Sequence, residues 1–289
     1  MRGPLISLAL VLILIGILLY VIDYWSGTGS QVAEVGTQDM AAEETASPAE
    51  QAIKYPVTDE FLKLEKPADD MPADEITGPS SGETETVIKP DPLPALDESD
   101  AVLKEALVGF LTGERYERLF LSESFVRRFV VTIDNMTEKK LPRKFRFSHN
   151  PVGKFTVRKE SEEVAYIDNA NYNRYTPFVI LLEIVDMRDF VSVYVRNYPL
   201  FQQAYEELGY PDRYFNDRLI EVIDHLLAAP EIKDPVKLVR PKVFYNFADP
   251  ELESLSAGQK IMVRIGYDNA RKVKSGLREL RYLLVSLGG

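Results

Sequence analysis

Eighteen consecutive uncharged residues, from Leu5 to Ile22, constrain this chain more than any other feature. At 1.5 Å rise per residue a helix of that length spans about 27 Å, close to the roughly 30 Å hydrocarbon core of a bilayer. Such a run either crosses a membrane or is removed as a signal peptide. Signal peptides have an apolar core of about 7–15 residues and a small-residue cleavage site. This core is longer, and it leaves through Tyr20, Tyr24 and Trp25, whose rings favour the headgroup layer. Ser26-Gly27-Thr28-Gly29 offers small residues to a peptidase, but length and the aromatic exit favour an uncleaved anchor over residues 1–25. Arg2 precedes the run, and Asp23 and an acidic stretch follow it. The positive-inside tendency then places the N-terminus in the cytoplasm and residues 26–289 outside it.

Charge divides the rest into two parts. Residues 26–100 carry 4 Lys against 18 Asp and Glu, whereas residues 101–289 carry 29 Lys and Arg against 26 Asp and Glu. The net charge of −11 therefore belongs to the first part and says little about partners of the second. The absence of cysteine excludes disulfides, thiolate metal sites and a cysteine nucleophile.

Residues 26–98 read as a disordered, acidic, Pro-rich linker with eight of the eighteen prolines. Low hydrophobicity and high net charge cannot offset the entropy lost on ordering. As a flexible coil the linker would reach about 45–50 Å, and fully stretched on the order of 230 Å. One island, from Tyr55 to Leu64, carries Tyr55, Val57, Phe61, Leu62 and Leu64. Composition favours a stray apolar patch there over a segment that docks on a partner or on the domain.

From residue 99 to residue 289 the pattern is helical. The expected fold class is mainly α: a multi-helix globular domain with a short β-hairpin, preceded by one transmembrane helix and a disordered linker. Asp97 or Ser99 is placed to cap a helix through about Leu111, with Gly113 ending it. Ser122 is placed to cap a second, with Phe125, Val126, Phe129, Val130 and Ile133 on one face. The hairpin is expected over residues 152–158 and 164–167. Thr176-Pro177 opens a helix through Val185, a further segment runs from Met187 to Tyr198, and Pro199 starts or kinks a third ending before Gly209. Pro211-Asp212 opens the clearest amphipathic helix. Phe215, Leu219, Val222, Ile223, Leu226 and Leu227 form its apolar face, opposite Asp217, Arg218, Glu221, Asp224 and His225. Residues 237–247 look extended, Asp249-Pro250 and Ser256 start short helices, and Asp268 caps the last. There Ala270, Val273, Leu277, Leu280, Leu284 and Leu287 repeat at heptad spacing. The run is under three heptads, which favours packing on the helix's own domain over a dimeric coiled coil.

The sharpest candidate site is the basic run containing Lys139, Lys140, Arg143, Lys144 and Arg146, interleaved with Phe145 and Phe147. Its functional reading is a surface for an anionic polymer, lipid headgroups or an acidic partner. The plainer and favoured reading is a solvated loop whose two Phe pack inward. Interleaved aromatics also suit single-stranded nucleic acid, but the extracytoplasmic topology argues against that partner. Asp217, Glu221 and His225 stand four residues apart on one helix face. A metal or an acid–base pair can use such spacing, yet an exposed Glu221–His225 pair with Arg218 nearby is the simpler reading. Glu183, Asp186, Glu206 and Glu207 are the remaining carboxylates in apolar helical context. A glycan hydrolase needs two carboxylates at a set separation, which spacing along the chain does not show. The dense tyrosines from Tyr166 to Tyr214 suit a groove, but more often bury the ring. No cofactor motif is present.

The run from Tyr198 to Pro211 and the run from Phe215 to Leu227 resemble the bacterial Domain of Unknown Function 3014 family. So do the stretches from Leu238 to Val243, Leu255 to Lys260, Arg127 to Val130, and Asn171 to Tyr175. The resemblance covers most of residues 100–285. It implies a Gram-negative envelope protein with an N-terminal anchor and a proline-rich linker, and it carries no activity or catalytic residues to transfer. The expectation is an inner-membrane protein with a periplasmic domain acting as a non-enzymatic interaction or scaffold module. Its partner would be another envelope protein or an anionic polymer. The competing class is a cell-envelope glycan hydrolase using paired carboxylates.

Overall fold

The computed structural model describes residues 52–58, 92–108, 113–121, 123–141, 143–145, 154–162, 164–184, 186–233, 235–241 and 244–288. The run from Leu5 to Ile22 and most of the acidic stretch lie outside these residues. Among the described residues no helix is long and apolar enough to cross a membrane.

The domain is mostly helical, with one small antiparallel sheet. Helices α1 (Ser99–Val108), α2 (Gly113–Leu119) and α3 (Phe125–Asp134) come first. Strands β1 (Val157–Lys159) and β2 (Ala165–Ile167) follow, then α4 (Ala170–Asn173), α5 (Thr176–Ile184), α6 (Met187–Glu207) and α7 (Phe215–Leu227). Strands β3 (Lys237–Val239) and β4 (Asn246–Phe247) precede α8 (Pro250–Ser254), α9 (Ala257–Arg264) and α10 (Tyr267–Val285).

The apolar faces read from the sequence for α3 and α7 are faces that pack. Phe125, Val126, Phe129, Val130 and Ile133 of α3 are buried, as are Phe215, Leu219, Val222, Ile223 and Leu226 of α7. Each such side chain contributes roughly 1.5–3 kcal/mol when fully removed from water. Helix α7 lies among α3, α6, α9 and α10, and α10 also packs on α5 and α6. All six heptad residues from Ala270 to Leu287 are buried in this core, so the seam is used within the domain. At its centre Phe129 and Phe201 meet edge-on at 5.4 Å, and Phe201 and Phe215 stack at 6.1 Å.

The hairpin is present but forms half of a sheet of order β1-β2-β3-β4, with Ala165 opposite Leu238 and Leu238 opposite Phe247. A second, smaller core of Ala165, Ile167, Val236, Leu238, Phe247 and Val263 lies under it. Helix α9 joins the two cores, since Ile261 and Met262 belong to the first and Val263 to the second.

Several boundaries differ from the sequence pattern, each for a physical reason. Residues 187–207 form one helix with Pro199 inside it. Pro199 is exposed, so its ring is accommodated on the solvent side of the helix rather than in the core. Gly113 begins α2 rather than ending α1. Helix α3 starts at Phe125, not after Ser122, because its cap is remote: the amides of Ser124 and Phe125 donate to the Asp100 carboxylate at 2.7 and 2.8 Å. Helix α7 starts at Phe215, four residues after Pro211, and its end is also capped from elsewhere. The Phe215 amide donates to Gln202 Oε1 at 2.8 Å and the Asn216 amide to the Tyr198 hydroxyl at 3.2 Å, both from α6. Helix α10 begins at Tyr267, ahead of Asp268, after Gly266 at φ +86°.

Two stretches counted with the linker hold defined positions on the domain. Leu96 is buried in the main core, and Tyr55 and Val57 pack against it. Composition favours disorder for the Tyr55 stretch because its anchoring bonds join backbone groups to distant residues, which composition does not register.

Candidate functional site

The basic run divides between two neighbourhoods. Lys139 donates from Nζ to the Ser254 carbonyl at the end of α8, and Lys140 is exposed. Residues 143–145 form a 3₁₀ turn; the Arg143 side chain and Arg146 lie outside the described residues. Helix α3 holds this turn: Arg128 Nη1 donates to the Lys144 carbonyl at 2.9 Å and Thr132 Oγ1 to the Phe145 carbonyl at 3.3 Å. Phe145 is not tucked inward. It is 40 % exposed, with the Lys144 ammonium 5.4 Å from its ring centroid. Phe147 lies outside the described residues.

This turn forms one wall of a cleft of about 330 Å³. The cleft is also lined by Arg127, Arg128 and Val131 of α3 and by Glu207 and the 37 % exposed Leu208 at the end of α6. Arg127 is fixed there by two carboxylates, donating to Asp97 at 2.6 Å and to Glu207 at 3.1 and 2.7 Å. Partial burial works against its charge, but the bonds to Glu207 and Asp97 outweigh that and raise its pKa above the ordinary value. The cleft thus sets two exposed apolar side chains beside cations, of which Lys144 is the most outward.

A second cleft, of about 600 Å³, lies where the segment of residues 52–58 crosses the N-terminal end of α7. One oxygen of the Asp217 carboxylate accepts the amide of Lys54 at 3.0 Å and the other that of Tyr55 at 2.9 Å. Asn216 Nδ2 donates to the Tyr55 carbonyl at 2.9 Å, the Val57 amide donates to the Tyr214 hydroxyl at 2.8 Å, and Thr58 Oγ1 donates to the Leu287 carbonyl at 2.7 Å. Asn216 is fully buried, and its Oδ1 accepts from the Tyr194 hydroxyl at 3.2 Å. Burial pushes the Tyr194 and Tyr198 hydroxyls well above the ordinary tyrosine range, so both stay protonated donors.

The row Asp217, Glu221 and His225 is thereby dispersed. Asp217 holds the docked segment, Glu221 pairs with Arg218 at 2.8 Å, and His225 Nε2 meets Ser256 Oγ at 2.7 Å. The Glu221–His225 pair suggested by the four-residue spacing gives way to these partners. Arg218, which the helical pattern places on the solvent face, instead joins α7 to the end of α3 through Asp134 and Thr137. Among the described residues no group of three or more His, Cys, Asp or Glu is placed to hold a metal. Asp186 caps α6 by accepting the Arg188 amide, Glu206 accepts from Gln202, and Glu207 from Gln203 and Arg127. The Glu183 side chain lies outside the described residues.

Asn216 and Asp134 escape a reading by motif, whereas Tyr214 is one of the dense tyrosines weighed as groove residues. Asn216 leaves a trace: an amide side chain beside Phe215 at the start of an apolar face is a buried polar group that needs a partner.

Residues 125–281 match the model of the family described as Protein of unknown function (DUF3014). The match runs from the first residue of α3 almost to the end of α10, and so takes in both clefts' helical walls. No curated protein and no solved structure matches the chain. Since the family model spans more than half of the chain, this protein belongs to the DUF3014 family.

Proposed function

We propose that this chain is an inner-membrane-anchored periplasmic protein whose helical domain is a non-enzymatic interaction module of the cell envelope. The anchor is the uncharged run from Leu5 to Ile22, supported by its length, its aromatic exit and the Arg2/Asp23 charge asymmetry. The observation that carries the binding reading is the cleft in which exposed Phe145 and Leu208 lie beside Arg127, Arg128 and Lys144. Apolar side chains next to cations suit a partner that brings an apolar group flanked by carboxylates. That chemistry favours an envelope protein over an anionic polymer, which would use the charges alone.

The test is co-purification from cells with Lys139, Lys140, Arg143, Lys144 and Arg146 all changed to Gln. A partner retained by the native chain and lost from the variant supports the reading; an unchanged set of partners removes the basic surface from it. The anchor is tested separately. The native chain is expected to stay with membranes through an alkaline wash and to lose its domain to protease added to spheroplasts. Release into the soluble fraction contradicts the anchor.

A further inference from the structure

The contacts made by residues 52–58 are those of a bound peptide. Three amides, one carbonyl and one hydroxyl of the segment find partners on residues 214, 216, 217 and 287, more than 150 positions away in the chain. The receiving groups are held in advance. Asp217 sits in the first turn of α7, where the helix dipole favours a carboxylate. Asn216 is fixed from behind by Tyr194, and the Tyr214 ring lies 5.1 Å from that of Tyr198. The Pro56 ring stands over Gly288, so close that a Cβ there would come within 3.0 Å of it. Tyr55 and Val57 turn toward the core, while Ile53 is 54 % exposed. Recognition therefore rests on the backbone, on alternate apolar side chains and on a proline between them, as in other sites that take extended peptides.

We infer that the surface formed by the start of α7 and the 3₁₀ turn Ser286–Gly288 after α10 is a peptide-binding site, and that its ligand is the chain's own segment around Tyr55-Pro56-Val57, bound in cis. The site does not depend on the anchor; only its consequence for tether length does. With the segment bound, about 30 residues separate Ile22 from the domain and span at most about 100 Å. With it released, about 70 residues do so, with a limit near 240 Å. Binding and release would switch the domain between a short and a long reach from the membrane.

Amide hydrogen exchange on the full chain in detergent is the test. The amides of Lys54, Tyr55 and Val57 are expected to exchange at least about tenfold more slowly than in a peptide of the same sequence. Asp217→Ala removes that protection, as does Gly288→Val, whose Cβ has Pro56 atoms as its nearest neighbours; in both, α3 and α6 keep theirs. The binding site is then probed directly. In Tyr55→Asp/Val57→Asp the groove is vacated, and a synthetic peptide of residues 50–60 is expected to bind saturably. Adding Asp217→Ala to that variant abolishes the binding. Unprotected Lys54 and Tyr55 amides in the native chain, or no binding of the peptide to the vacated but folded domain, overturns the inference. A native chain that is dimeric by light scattering, with Tyr55→Asp/Val57→Asp monomeric, shows the segment bound in trans and overturns the assignment in cis. Membrane fractionation does not enter any of these outcomes, so loss of the anchor would leave them readable.

Discussion

Arg218 and Asp134 join the first turn of α7 to the last residue of α3: Nε donates to the carboxylate at 2.9 Å and Nη2 to the Asp134 carbonyl at 2.6 Å. Both side chains are 14 % exposed. Burial acts against the Arg218 charge, yet Glu221 and Asp134 together hold its pKa above the ordinary value. Tyr210 donates to the second Asp134 oxygen at 3.3 Å, so removing the arginine leaves a partly buried carboxylate short of donors. Arg218→Ala is expected to lower stability by about 2–4 kcal/mol in urea titration, and Arg218→Lys to recover only part, because one ammonium cannot span the carboxylate, the carbonyl and Thr137. Equal midpoints for native and Arg218→Ala chains would show the link to be inert.

Gly258 lies where α9 packs tightly on α7 and on the turn at Met136. A Cβ there would lie 2.7 Å from Leu226 Cδ2 and 2.8 Å from the Met136 carbonyl, and the carbonyl is backbone. Gly258→Ala is expected to cost about 1–3 kcal/mol through overpacking. Gly113→Ala, with nothing within 4 Å, is expected to stay within about 0.5 kcal/mol. Comparing the two by thermal or urea unfolding separates steric crowding from the general effect of replacing glycine.

Gln202 caps α7 from α6. Its Oε1 accepts both the Phe215 amide at 2.8 Å and the Tyr198 hydroxyl at 2.9 Å. Gln202→Ala is expected to destabilise by about 1–2 kcal/mol and to raise exchange at the Phe215 amide before any change at Phe129. If the Phe215 amide kept its protection in the variant, the cap would lie elsewhere.

Burial, and then the Arg218 charge, lower the His225 pKa below 6.5, with Glu221 opposing them. A histidine that is harder to protonate in the native state binds fewer protons than its unfolded counterpart as pH falls through 6.5. Its contribution to stability is therefore complete above pH 6.5, falls on acidification, and levels off below the native pKa. His225→Gln is expected to flatten the slope of unfolding free energy just below pH 6.5. An unchanged slope would assign that pH dependence to other groups.

What the sequence reveals and what it withholds follow one division. The buried faces of α3, α7 and α10 are local periodicities, and spacing alone assigns Phe129, Ile223 and Leu280 to them. The caps of α3 and α7 are not local: Asp100 and Gln202 lie 25 and 13 positions from Phe125 and Phe215. The pairing of β2 with β3 joins Ala165 to Leu238, and no spacing rule connects them. The segment at Tyr55 sits in an acidic, proline-rich stretch, and its attachment uses amides that nearly every residue type supplies. Of the candidate site, the charge at Lys144 is visible as part of a basic run, although Lys139 of the same run turns to Ser254 instead. The exposed Phe145 and its neighbour Leu208 are not, because side chains at that spacing are as easily buried.

The most direct measurement of the binding reading is site-specific photo-crosslinking in living cells. A photoreactive residue at Phe145 is compared with one at Tyr282, which is 69 % exposed on α10 and takes no part in the cleft. A discrete adduct formed from position 145, absent from position 282 and lost on Lys144→Glu, is the expected result. Adducts that are the same from both positions, or none from position 145, would contradict a partner surface at this cleft.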